Sequence, residues 1–475
     1  MTSQAPHGCD QHDHKLHGSG RADSEGDINL GESRARWWAG QSEDVQAGLA
    51  EDSRYFLHQA LSTPCLDLLE GAQGSWLTSV SGARYLDFHG NSVHQLGHGH
   101  PRVVAAVQQQ LADLPFAPRR YTHQVAIDCA RTLAELAPGD LNRVLFAPGG
   151  SEVVGIALKL ARFITGNSKV VSLWDAFHGA SLDAISVGGE ACFRAGMGPL
   201  MAGVERIPPP TRYRGVWYRG EGDDLHYADY LEYVIEKEGG IGAFIAEPIR
   251  NTDVQVPSKA YWRRVREICD RHKVLLIVDE IPNALGRTGH WFASEGFGIK
   301  PDLMCLAKGI TSGYLPMGAV MVGDRVAKVL VEEGGEFNHG FTYSGHPVAC
   351  AVAIANIQLM QSESIVKRVH DSIGPYLQRR WSELADHPLV GETRGKGLVA
   401  ALEIVQDKQT KRRFPAELHA GMTCREFCFN NGLVMRAVGD TMIISPPLVI
   451  TEEQVDELVK LARLSLDLTA AKLRE

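Results

Sequence analysis

Two apolar runs in the middle of the chain each end in a charge. Val274-Leu275-Leu276-Ile277-Val278 leads into Asp279-Glu280, and Asp302-Leu303-Met304-Cys305-Leu306-Ala307 delivers Lys308 against Gly309, with the polar turn Gly286-Arg287-Thr288-Gly289 between them. A lysine in water has a pKa of roughly 10.4 and is a poor nucleophile at neutral pH. Desolvation and a nearby cationic ring favour its neutral or imine form. A carboxylate buried against a pyridine nitrogen keeps a proton there, so the ring can accept the electron pair left when a bond to an amino-bearing carbon breaks. An acid ending one buried strand and a lysine ending the next is the pairing that a pyridoxal 5'-phosphate site needs. Either residue alone is what a solvated strand end looks like; the weight comes from the residues around them.

Pro148-Gly149-Gly150-Ser151-Glu152 follows the apolar run Val144 to Phe146 and opens a helix. Glycines let a backbone approach an anion closely, and a helix start offers unpaired N–H groups and a favourable dipole. A phosphate would fit against Gly150 and Ser151, although Gly-Gly-Ser before a helix is more often only a capped turn. Phe177-His178-Gly179 follows a run ending at Leu173 and Trp174. A ring on a loop at the C-terminal end of a strand can stack on a flat cofactor, or can simply belong to the core. No metal site is expected. His7, Cys9, His12, His14 and His17 lie in a polar tail where no rigid element would fix a ligand geometry.

The elements that must hold these residues follow from the pattern. Between about Ala126 and Ala319, short runs that are apolar throughout alternate with helical segments, as in Val144–Phe146, Lys169–Leu173, Gly242–Ala246, Leu303–Leu306 and Gly318–Val322. Strands buried on both faces of a mostly parallel sheet look like this, which places the chain in the α/β class. Ahead of them, Glu32 to Leu61 reads as helix, Gly74 to Phe88 as two strands around a turn, and the segment after Pro101 as a helix with Val103, Val104, Val107 and Leu111 on one face. Beyond them come helices over about Pro347–Met360 and Val366–Leu384, a strand Gly397–Ile404, and a last helix opened by the capping-box spacing Thr451-Glu452-Glu453-Gln454.

At 475 residues the chain is expected to form more than one unit. The expected division is an unordered tail over 1–31, an N-terminal segment of a small domain over 32–95, a large cofactor-binding domain over 96–345 and a C-terminal small domain over 346–475. A net charge of −9 argues against a nucleic-acid protein, and no apolar run approaches the roughly 18 residues that would span a bilayer. A polar start without an apolar segment, and nine scattered cysteines, suggest a cytoplasmic protein.

These motifs, in this order, resemble the class III aminotransferases that depend on pyridoxal phosphate, of the ornithine, acetylornithine and ω-amino acid type. Asp87-Phe88 and Leu96-Gly97-His98-Gly99-His100-Pro101 before them, and Phe341-Thr342-Tyr343-Ser344-Gly345-His346-Pro347 after them, belong to the same resemblance, which covers about residues 50–470. It implies a fold type I enzyme, with the small α+β domain drawn from both chain ends. It implies that Lys308 is the Schiff-base lysine and proton shuttle, that Asp279 holds the pyridine nitrogen, that Phe177 stacks on the ring with His178 beside it, and that Gly150 and Ser151 bind the phosphate. Thr342 would reach the phosphate of a neighbouring subunit, making a homodimer or a dimer of dimers the active unit. Glu247 matches a glutamate near the cofactor, and Arg394 an arginine that often binds a substrate carboxylate; Arg250, Arg119 and Arg120 are further candidates for an anionic substrate group.

The sequence departs from the family pattern at Ala147-Pro148-Gly149-Gly150, Arg250-Asn251-Thr252-Asp253 and Asp279-Glu280-Ile281-Pro282-Asn283. Pro148 and Pro282 remove backbone donors and stiffen loops that would line the site. These spellings, with Phe177-His178-Gly179-Ala180-Ser181-Leu182-Asp183, resemble the branch that releases ammonia from 2-amino-1-hydroxyethylphosphonate. Three functions stay open: an ammonia-lyase acting by β-elimination, an aminotransferase passing the amino group to pyruvate or 2-oxoglutarate, and a non-catalytic regulator that binds the cofactor. No basic helix-turn-helix pattern favours the third.

Overall fold

The computed structural model describes residues 32–474 except 58, 60–64, 218 and 221–223, so the expected tail over 1–31 lies outside the described residues. The first three strands, β1 (Leu69–Gln73), β2 (Trp76–Ser79) and β3 (Arg84–Asp87), form an antiparallel meander. A late strand, β13 (Leu433–Val434), joins it in parallel beside β3, so the two ends of the chain share one sheet.

The central sheet has seven strands: β4 (Arg143–Ala147), β5 (Lys169–Leu173), β6 (Val204–Ile207), β7 (Ile241–Ala246), β8 (Leu275–Asp279), β9 (Leu303–Leu306) and β10 (Gly318–Val322), in the order β4-β10-β9-β8-β7-β5-β6. β9, β8, β7, β5 and β6 are parallel; β10 runs against both its neighbours. Every residue of β7 to β10 is buried. Alternate side chains face opposite layers, as strand geometry requires. Ala243, Ile245, Leu275 and Ile277 pack with Val153, Ile156 and Leu160 of the helix Gly150–Thr165. Phe244, Ala246, Leu276 and Val278 pack with Leu231 and Ile235 of the helix Leu225–Glu238 and Val265 and Ile268 of Lys259–Arg271. Each such side chain contributes about 1.5–3 kcal/mol by leaving water, which is why these runs are apolar on both faces.

A third sheet, β11 (Val390–Lys396), β12 (Val399–Ile404), β14 (Arg436–Val438) and β15 (Thr441–Ile444), is antiparallel in the order β11-β12-β15-β14. Arg287 ties it to the central sheet: the buried guanidinium donates to the carbonyls of Leu398, at 3.2 Å, and Pro446.

Several expected boundaries shift for identifiable reasons. The helix expected from Glu32 breaks at Gly40, and Ser42 caps a second helix, Glu43–Tyr55, by accepting from the Val45 N–H. Val45 and Leu49 are buried, whereas Phe56 lies past the end and is exposed. On Pro101–Asp113, Val103 is buried but Val104 and Leu111 are 40% and 50% exposed, because adjacent helix positions point about 100° apart. The helix expected over Val366–Leu384 contains a π turn, Val369–Ile373, just before Gly374-Pro375, where proline has no N–H to give. The strand expected from Gly397 starts at Val399; Gly397, at φ +59°, makes the hairpin that pairs it with β11. The last helix, Glu452–Lys472, carries the Thr451–Gln454 capping box as read.

Candidate active site

Asp279 and Lys308 stand at the C-terminal ends of adjacent parallel strands, the edge at which open α/β sheets bind ligands. Asp279 ends β8 opposite Cys305 of β9, and Lys308 follows two residues beyond the end of β9. The chain turns sharply there. Lys308 has φ +47°, a left-handed conformation that costs an L-residue on the order of 1–3 kcal/mol and needs its surroundings to enforce it. Asn356, buried in the helix Pro347–Ser362, supplies that constraint: its side-chain amide donates to the carbonyls of Gly309 at 2.8 Å and Ile310 at 3.1 Å. Burial lowers the Lys308 amine to about 8; Asp279 and Glu247 oppose the shift, and Arg436 and Arg287 add to it. The amine therefore loses its proton far more readily than a surface lysine.

The Asp279 carboxylate is fixed on both sides. Oδ1 accepts from the Ile281 N–H at 3.0 Å, and Oδ2 meets His178 Nδ1 at 2.7 Å. Burial alone would lower the His178 imidazole, but the hydrogen bond and charge of Asp279, with the charge of Glu247, hold it above the usual histidine value. The pair thereby fixes the Asp279 carboxyl in place at the strand end, where it could face a protonated pyridine nitrogen. Glu247, just past β7, accepts from the Asn251 N–H at 3.0 Å, and burial pushes its carboxyl up to about 7. Its other oxygen, and Nε2 of His178, are buried without a partner.

Gly150 and Ser151 open the helix Gly150–Thr165 beside this pair: a Cβ on Gly150 would lie 3.3 Å from Ile281, two residues past Asp279. Ser151 Oγ accepts from the Ala180 N–H at 3.2 Å. The loop can close on it only because residue 179 is glycine; a Cβ there would sit 2.3 Å from Ser151 Oγ. Phe177 is half-buried, its ring 5.0 Å from that of Phe193. Thr342 lies exposed in the segment before Pro347, flanked by exposed Phe341 and Tyr343.

The arginines expected to meet an anion have partners already. Arg250 makes a two-pronged pair with Asp253, with Nε to Oδ1 at 2.7 Å, and donates to Thr211 Oγ1 at 3.1 Å. Arg394 donates to the Asp253 carbonyl at 2.6 Å, to Glu392 at 2.9 Å and to Glu403 at 3.1 Å. Arg119 and Arg120 are on the surface. A cleft of about 1020 Å³ opens between the central sheet's loops and the third sheet, lined in part by Glu190, Phe193, Arg250, Glu403 and Arg436. It lies beside Lys308 rather than around it. Arg436, at the start of β14, connects the two, since its charge acts on both Lys308 and Glu190. No motif in the linear sequence marks Arg436, Glu190 or Asn356. A lone basic residue after Leu433-Val434-Met435 was the only available hint at the first.

These residues fit pyridoxal phosphate. Lys308 offers a readily deprotonated amine, Asp279 a buried carboxylate, Gly150 and Ser151 a helix start with room only for backbone, and Phe177 a ring on the adjoining loop. When bound, the cofactor supplies the electron sink for a bond broken at an amino-bearing carbon.

Residues 59–464 match the model of the aminotransferase class-III family. The chain is 50% identical over 450 residues to the (R)-1-hydroxy-2-aminoethylphosphonate ammonia-lyase of Vibrio splendidus, covering 91% of this chain and 92% of that one. It is 43% identical to the putrescine–pyruvate aminotransferase of Pseudomonas aeruginosa, over 85% and 91% of the two chains. Among solved structures, an (S)-enantioselective ω-transaminase from Thermomicrobium roseum superposes with a TM-score of 0.84 at 34% identity, over 89% of this chain and 98% of that one. An ω-transaminase from Pseudomonas jessenii, solved in complex with PMP, gives 0.85 at 31%, over 89% and 98%. With a half-buried lysine and a buried acid at the ends of neighbouring parallel strands and likeness along nearly its whole length, the chain belongs to the class III aminotransferase family and is a pyridoxal phosphate-dependent enzyme.

Proposed function

We propose that the enzyme is an ammonia-lyase acting on (R)-1-hydroxy-2-aminoethylphosphonate and yielding phosphonoacetaldehyde and ammonia. The full-length likeness to the Vibrio lyase carries this reading. The geometry adds Arg436, a cation on the cleft wall whose field reaches Lys308; a planar guanidinium suits phosphonate oxygens. In this reading Lys308 takes the proton from the amino-bearing carbon, Asp279 and His178 keep the cofactor's ring nitrogen protonated, and Arg436 orients the phosphonate. Arg250 and Arg394, held by Asp253, Glu392 and Glu403, shape the wall behind it. Loss of the neighbouring hydroxyl leaves an enamine, which water converts to the aldehyde and ammonia. The water lost in the first step is regained in the second, so no amino acceptor is consumed.

The second reading, an aminotransferase, has its own support. The putrescine–pyruvate enzyme is 43% identical, and the cleft also carries acids, Asp175, Glu190 and Asp253, that would suit a cationic amine. One assay separates the two: incubate the purified enzyme with the hydroxylated aminophosphonate, without any keto acid, and measure free ammonia. Continuous release is expected; turnover that requires pyruvate or 2-oxoglutarate would overturn the lyase.

We also infer a homodimer with Thr342 serving the partner's phosphate site. Phe116, Phe341 and Tyr343 are exposed together, the Phe116 and Tyr343 rings 6.1 Å apart, as an unpaired face would be. Light scattering that gives the mass of a single chain would refute this. The buried cysteines, among them Cys129, Cys269 and Cys350, are thiols, which suits the cytoplasm, where we place the enzyme.

A further inference from the structure

We propose that Glu190 is the general acid that protonates the departing hydroxyl group, and that this proton directs the shared chemistry of the family toward release of ammonia. The proposal rests on the lyase reading above and assigns one of its steps to a residue.

The backbone of Glu190 is held at the C-terminal end of β5. The Gly189 N–H donates to the Ala176 carbonyl at 2.7 Å, and Arg194 donates to the Gly189 carbonyl at 3.2 Å. A Cβ on Gly189 would fall 2.3 Å from both the Leu173 carbonyl oxygen and the Asp175 nitrogen, so glycine is what lets this segment lie against the strand end. Three residues beyond Glu190, Phe193 rests on Phe177, the ring expected to cover the cofactor. The segment is therefore anchored to both the sheet and the cofactor-side loop. Glu190 lines the cleft that Arg436 also lines, and Arg436 is the residue whose charge reaches Lys308 as well.

Glu190 Oε2 is buried and has no hydrogen-bond partner. A buried polar atom left unsatisfied is costly, and a ligand group meeting it would recover that cost. Burial pushes the carboxyl up to about 7; Arg436 and Arg250 oppose the shift, and Asp175 and Asp253 add to it. Cys192 is the other titratable group beside it. At neutral pH a large share of the carboxyl thus carries a proton it can give, with a pKa near the operating pH, where general acids work best.

Hydroxide is a poor leaving group, so this reaction needs such a donor. The C–O bond breaks with its electron pair going to oxygen, Glu190 gives that oxygen its proton, and water leaves. The proton from the amino-bearing carbon is taken separately by Lys308. Glu190 ends as a carboxylate beside Arg436 and regains a proton from solvent through the cleft, with no oxidant or reductant involved. A transaminase has no leaving group at this carbon and no use for the donor.

The test compares E190Q with wild type on the hydroxy substrate and on its 1-fluoro analogue, whose fluoride departs without first taking a full proton. Ammonia release from the hydroxy substrate should fall by about 10²-fold or more in E190Q, within the usual range for general-acid catalysis, while the fluoro compound brings the variant to within about tenfold of wild type. The wild-type rate should decline above about pH 7, as Glu190 loses its proton, and that limb should be missing in the variant. Independently of turnover, the infrared C=O stretch of a protonated carboxyl, seen as wild type minus E190Q, should titrate with a midpoint near 7. Equal losses on both substrates, or a variant within a few-fold of wild type on the hydroxy compound, would overturn the role of Glu190. If the wild-type enzyme itself released no ammonia, the lyase reading would fall first, and the two failures are thereby distinguishable.

Discussion

Around Lys308 polar groups gather at the ends of buried, largely apolar strands: Asp279 is gripped by His178 and by the Ile281 N–H, and Asn356 clamps the turn that carries the lysine. At the cleft, charges from the loop after β7 meet charges from the third sheet, where Arg250, Arg394, Asp253, Glu392 and Glu403 form a network of which Arg250, Asp253 and Glu403 reach the cleft wall. The first region is organised to hold one charge state of one group. The second is organised to be altered, because exchanging a loop side chain there leaves the sheet's packing intact. A family that keeps its cofactor and changes its substrates would divide its residues in this way.

The largest effect should come from the first region. Lys308→Ala is expected to abolish turnover and the visible absorbance of the lysine-bound cofactor while leaving the circular dichroism spectrum unchanged. A retained visible band would remove Lys308 from its assigned role. Asp279→Asn should keep bound cofactor but lose about 10²–10³-fold in rate, the usual cost of removing one preorganised electrostatic group. His178 should lose its proton more easily in the same variant, since Asp279 is what raises it. Near-normal turnover would mean that the ring nitrogen is held by something else.

The second region should answer more weakly and in a different observable. Arg436→Ala is expected to raise KM for the phosphonate by roughly 10–100-fold, as losing a hydrogen bond to a charged group of about 1.5–3 kcal/mol implies, with a smaller change in kcat. Arg250→Ala should instead appear in a melting curve. It strips a buried partner from Asp253, and breaking such a pair costs on the order of 3 kcal/mol of folding stability. If Arg250→Ala changed KM alone and Arg436→Ala changed Tm alone, the assignments of wall and clamp would have to be exchanged.

The same division governs what could be read from the sequence. The strands of the central sheet announce themselves because burial on both faces demands uninterrupted apolar runs, and those runs end where the chemistry must sit; Asp279 and Lys308 follow from that. Gly150 and Phe177 are legible because loops at strand ends are constrained by what the strands bring together. Arg436 and Glu190 are not. Each is a single polar residue whose meaning arises when β14 and the segment between β5 and β6 come to line one cleft. Nothing in the linear chain reveals that Asp253 and Glu403 will reach Arg250 and Arg394. Asn356 is hidden for the opposite reason, as a buried amide in the middle of a helix whose other buried residues are apolar.

The two regions do touch at one point, and the smallest expected effect tests it. Burial brings the Lys308 amine to about 8, and Arg436 contributes to that lowering from across the boundary. Only the neutral amine can bond to the cofactor's aldehyde carbon, so reconstitution of cofactor-free enzyme should speed up about tenfold per pH unit below 8 and level off above it. A folded-state value below that of an exposed lysine also means that the unfolded chain binds the extra proton over that interval, so the stability of the cofactor-free enzyme should rise with pH from about 8 toward 10.5. Arg436→Ala removes one cation acting on the amine and leaves the larger cause, burial, in place. The midpoint of reconstitution should therefore move to higher pH by less than one unit. An unmoved midpoint would make the wall electrically independent of the floor, and Arg436 would then act on the substrate alone. A shift beyond one unit would instead mean that the charge of the wall, more than the dryness of the sheet, is what prepares Lys308 to react.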